Sequence, residues 1–106
     1  MHEALTKLLL DANALGVWVF GPMVILDNQY QNEVLGSAVK DPSIKPPTKL
    51  MIQSETYLDF GDWQVFAWPI GTATLVVVFD DQSSLGLIRL RARIARPAIE
   101  RALAPG

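Results

Sequence analysis

The feature that most constrains this chain is the run TLVVVF, Thr74 to Phe79, which leads straight into Asp80-Asp81 and then a long arginine-studded pattern. A strand with one wetted face alternates apolar and polar residues, and this run does not. It therefore reads as a central strand covered on both faces. The stretch after it, SSLGLIRLRARIARPAIERAL, has a different period. Leu85, Ile88, Ala92, Ala95, Ile99 and Ala102 recur at spacings of three and four, and Leu87, Leu90, Ile94 and Ala98 form an adjoining stripe. Arg89, Arg93 and Arg96 gather on the remaining side and Glu100 continues them. This is a helix lying on a sheet, its arginines turned to water or to an acidic partner. Ser83 or Ser84 is placed to cap it, with Asp80 and Asp81 at its positive end and Arg101 near its negative end. Gly86 suggests a close approach of backbones in the first turn, and Pro97 a kink.

Upstream the periods alternate. HEALTKLLLDANAL sets Leu5, Leu8, Leu9 and Ala12 at helical spacing, with Gly16 as a stop. GVWVF and MVILD are short β-type runs around Gly21-Pro22, which reads as a hairpin turn. NQYQNEVLGSAVKD fits a short helix over Tyr30, Val34, Leu35 and Ala38, weakened by Gly36 and ended by Pro42, Pro46 and Pro47. KLMIQSETYLDF, WQVFAWPI and ATLVVVF read as three further strands, separated by turns at Gly61-Asp62 and Gly71-Thr72. The expected order is α-β-β-α-β-β-β-α: one α/β domain over residues 1–106, a five-stranded antiparallel sheet with helices on both faces.

The residue inventory limits the chemistry. Half of the 106 residues are apolar, 19% are charged and the net charge is −2, an ordinary globular profile that does not favour nucleic acid. There is no cysteine, so neither disulfides nor thiol chemistry enter. His2 is the lone histidine and sits at the N-terminus, which leaves a histidine triad or a zinc site nothing to build on. No glycine-rich phosphate loop occurs. Asp59 and Asp62 flank a turn, where turn chemistry competes with a carboxylate pair; Asp80-Asp81 reads as helix-end charge or as cation binding. No secretory pattern and no run of about 18 apolar residues is present, so no membrane span and a cytoplasmic location are expected. Trp18, Trp63 and Trp68 fill the core or, in one case, anchor a partner.

TLVVVFDDQSSLGLIRLRAR resembles the last strand and final helix of roadblock/dynein-light-chain domains, most of all the bacterial MglB type, which regulates a Ras-like GTPase in gliding bacteria. The run covers about a fifth of the chain, while the element order agrees along its whole length. MIQSETYLDFGDWQVFAWPIG occupies the place of that family's third and fourth strands. The hairpin GVWVFGPMVILD lacks the family's small-residue, Asp-Gly pattern, and the middle helix is shorter than the family's.

The resemblance implies a homodimer in which edge strands pair between protomers. The matching edge is Lys49 to Leu58, with Leu50, Ile52 and Tyr57, and the middle-helix positions are Val34, Leu35 and Ala38. Leu50 and Ile52 have plain core packing as the other reading. The expected function is a non-enzymatic interaction module, without cofactor or metal, that binds and regulates a small Ras-like GTPase; no arginine is nominated as a catalytic finger. Two alternatives stay open. One is a small-ligand sensor of similar layering around Phe66, Trp68 and Phe79; the other is a structural roadblock subunit, homo- or heterodimeric, without effect on a GTPase.

Overall fold

The computed structural model describes residues 1–46, 54–80 and 83–104, with backbone alone for 23–26 and 29–32. Helix α1 (His2–Asp11) is followed by strands β1 (Gly16–Leu26), β2 (Gln29–Val39), β3 (Thr56–Asp59), β4 (Gln64–Ile70) and β5 (Ala73–Phe79), then by helix α2 (Leu85–Leu103). The strands form one antiparallel sheet in the order β2-β1-β5-β4-β3. The apolar run Thr74–Phe79 thus lies at the sheet's centre, as its lack of alternation requires, and Leu75, Val76 and Val77 are fully buried. Burying each such side chain is worth about 1.5–3 kcal/mol.

Successive residues of β5 serve two separate cores. Leu75, Val77 and Phe79 join Val17, Val19 and Phe66 under Leu5 and Leu8 of α1 and Ile88, Ala92 and Ile99 of α2. Val76 and Val78 join Trp18, Phe20, Val65 and Ala67 on the other face, against which Leu15 and Ile44 pack. Both helices therefore lie on one face, which corrects the expectation of helices on both. One helix before the sheet and one after it are present among the described residues.

The expected middle helix is the second correction. Tyr30, Val34, Leu35 and Ala38 lie on β2, paired with β1 from Gly16↔Val39 to Leu26↔Gln29. Two register shifts interrupt that ladder. Between Val19 and Phe20 the partner steps from Gly36 to Val34, so Leu35 is the extra residue of a bulge. Between Phe20 and Met23 the partner steps only from Val34 to Asn32, which puts an extra residue at Gly21-Pro22 on β1. Gly21-Pro22 is therefore a bulge inside one long strand and not a turn, a position where proline's missing N–H is tolerated. Leu35 packs at Gly21, 3.6 Å from where a Cβ would stand. The actual hairpin turn is Asp27-Asn28, with φ of 51° and 65°, the left-handed pair that a two-residue hairpin needs.

Glycines explain two close approaches. Met1 and Leu5 of α1 pack down on Gly36, where a Cβ would stand 2.6 Å from the Met1 sulfur and 3.1 Å from Leu5 Cδ1. The Trp18 ring folds back over Gly16 on the other face. Gly86, by contrast, has among the described residues only the Ser84 hydroxyl near it, at 3.6 Å, and no close backbone approach from another element. Ser84 occupies the N-cap of α2 without a side-chain cap bond, while the Ser83 hydroxyl donates to the Asn13 carbonyl at 2.8 Å and ties the entry of α2 to the exit of α1.

Candidate interaction surface

Two strands end the sheet, β2 on one side and β3 on the other, and each pairs with a single neighbour among the described residues. The interface residues expected from the sequence divide between them. Val34 and Leu35 are exposed on β2, adjacent in sequence yet both outward because the bulge interrupts the alternation. Ala38, expected beside them, is only 7% exposed and belongs to the core under α1, which removes it from any surface. Tyr57 lies on β3 at the opposite edge, paired with Phe66. Leu50 and Ile52 lie outside the described residues. The expected set does not form one patch.

The β3 side gathers more than sequence reading assigned to it. Tyr57 and Leu58 are exposed on the strand, and Phe60 and Trp63 stack over the turn that follows, ring centroids 4.4 Å apart and 19° from parallel. Asp59 and Gly61 make that turn: the Gly61 N–H donates to Asp59 Oδ1 at 2.9 Å, Gly61 takes a φ of 90°, and the Phe60 N–H donates to the Trp63 carbonyl at 2.9 Å. Asp59 therefore does turn work, as its position suggested. Trp63 is the tryptophan at the surface; Trp18 is buried and Trp68 half-buried. Just before β3, Glu55 binds Arg89 of α2 through two contacts, Nε to Oε1 at 2.5 Å and Nη2 to Oε2 at 3.3 Å.

The arginine side of α2 is partly committed to the fold. Arg96 pairs with Glu100 one turn on and lies over the Trp68 ring, 4.7 Å from its centroid. The second apolar stripe is more open than expected: Leu90 and Ile94 are exposed, and Ala98 only partly buried. Phe66 and Phe79, named for a ligand pocket, are packed in the core beneath the helices. Among the described residues no cluster of three or more metal-ligating side chains occurs, and no helix is long and apolar enough to cross a membrane. The Asp41 carboxyl is held below the usual aspartate value because the Ser43 backbone N–H, and then its hydroxyl, donate to it; the former bond is 2.9 Å. This is a local turn closing the exit of β2.

A helix, five antiparallel strands in this order and a closing helix packed beside the first define a roadblock-like α/β fold. The fold is that of the MglB proteins. The chain is similar to Myxococcus xanthus MglB with a TM-score of 0.69 and 19% identity, over 95% of this chain and 92% of that one. It is similar to the gliding protein mglB of Thermus thermophilus with a TM-score of 0.67 and 18% identity, over 93% and 84%. A structure of MglB in a tetrameric arrangement gives 0.68 and 20%, over 93% and 84%. No family model and no curated protein matches the sequence.

Proposed function

We propose that residues 1–106 are a single roadblock-like domain that dimerises through the β3 edge and regulates a small Ras-like GTPase without being an enzyme itself. The observation that carries this reading is the β3 edge on a roadblock fold. Among the described residues β3 pairs on one side alone, and with exposed Tyr57, Leu58, Phe60 and Trp63 beside it the edge offers backbone groups and apolar area together. Tyrosine and tryptophan are the side chains that most often carry interface energy. The likeness to MglB supplies the GTPase half of the reading, and with it a cytoplasmic, bacterial setting.

The test mixes the protein with Ras-like GTPases in their diphosphate- and triphosphate-bound states. Light scattering after gel filtration is expected to show a dimer alone and a complex with one nucleotide state of its GTPase. Hydrolysis or exchange should change on mixing. A dimer that moves neither elution nor rate for any GTPase leaves only the structural-subunit reading; a monomer at every concentration removes the β3 edge as the interface.

A further inference from the structure

The outward side of α2 has a character that neither the sheet edges nor the core explain. That helix carries five arginines against one glutamate, whereas the rest of the chain carries four lysines against ten acidic residues. Arg89 and Arg96 are held by Glu55 and Glu100, but among the described residues Arg91, Arg93 and Arg101 make no ion pair. Leu90 (49% exposed) and Ile94 (54%) stand among them. Beside Ile94, helices α1 and α2 enclose a groove of about 200 Å³ floored by Leu8, Ala95 and Ala98 and edged by Lys7 and Arg91. The Arg91 Nε is buried there without a hydrogen-bond partner, although Asp11 lines the same groove. Lys7 and Arg91 put positive charge at the edge of this groove, and a carboxylate arriving from outside can pair with it.

We infer that this groove receives an acidic amphipathic helix from another protein. Leu87, Leu90, Ile94 and Ala98 follow one another at helical spacing for about 16 Å, three turns of a helix, so a third helix laid along α2 meets apolar side chains at each turn. Carboxylates on its flanks meet Arg91, Arg93, Arg101 and Lys7, while its apolar edge enters between α1 and α2. An anionic bilayer fits the same surface worse. The groove is concave, and a flat layer of headgroups does not enter it. The inference does not depend on the GTPase reading, since it concerns the helical face and not the sheet edge.

The probe is a fluorescein-labelled peptide of about eighteen residues, leucine at alternating spacings of three and four and glutamate on either side, followed by anisotropy. Saturable binding is expected, weakened about tenfold or more by Ile94→Glu and by Arg91→Gln and reduced by added salt. Lys45→Gln, in the segment covering the other face of the sheet, should bind as the parent does. Ile94 is half exposed, so the variants should keep the parent's far-ultraviolet circular dichroism, which is checked first. Absence of saturable binding overturns the inference, as does equal binding of a scrambled peptide of the same composition. Recruitment to phosphatidylserine vesicles without peptide binding reassigns the face to a membrane. A change in the protein's own mass on Ile94→Glu reassigns it to a second copy of the chain.

Discussion

The two edges of the sheet solve the problem of an unpaired strand differently. The β2 edge is eleven residues long, yet α1 packs on one side of it and two bulges break its register with β1. Bulges twist an edge and spoil it as a template for another strand. The β3 edge is only four residues long and has no bulge in its ladder with β4, and two of its side chains, Tyr57 and Leu58, are exposed apolar groups. Length alone would nominate β2 for pairing; regularity and exposed apolar side chains nominate β3. On this contrast, regularity rather than extent is what favours β3 as the edge for pairing.

The sharpest way to break this contrast is to place one charge on each edge. Tyr57→Lys should weaken self-association by about 2 kcal/mol or more, roughly thirtyfold in the dissociation constant, as measured by sedimentation equilibrium. Val34→Lys should leave the mass unchanged. The reverse outcome would move the interface to β2. A second test addresses why β2 is protected. Gly36→Val should force Met1 and Leu5 from their seats and destabilise the fold by about 1–3 kcal/mol in urea titration, without altering self-association of the folded fraction. A neutral result would mean that α1 does not hold that edge. The smallest effect is expected at the link between β3 and the helices. Glu55→Gln removes the ion pair with Arg89, whose side chains are half exposed, and should cost less than about 1 kcal/mol, with even that difference shrinking in high salt. A larger loss would show that α2 positions the β3 edge.

These edges also mark the limit of what could be read in the sequence. The centre was legible: an apolar run without alternation can only be covered twice, and β5 is the middle strand. Both helices were legible from their spacing, down to Ile88, Ala92 and Ile99 as buried residues of α2. The first hairpin was not, because its two bulges disguise its period. An extra residue at Leu35 puts Val34 and Leu35 both outward, so an eleven-residue strand imitates helical spacing, and Gly21-Pro22 imitates a turn. The true turn, Asp27-Asn28, uses two residues that accept left-handed backbone without a glycine to announce it. The candidate site suffered from a different gap. Val34 and Tyr57 were grouped as one surface, yet they stand at opposite ends of the sheet, because strand order is decided by long-range pairing that no local pattern encodes. Tyr57, expected at an interface, is exposed on β3, while Phe60 and Trp63 needed the turn geometry to bring their rings together.

The pairing of β1 with β5 has a consequence in time. Residues 16–20 find their central neighbour only among residues 74–78, so the middle of the sheet joins the first strand made to the last. While the chain emerges from a ribosome, the β1–β2 hairpin must wait with its inner side unpaired until nearly three quarters of the sequence has been synthesised. Contacts of such sequence separation slow folding, and they expose a sticky strand in the interval.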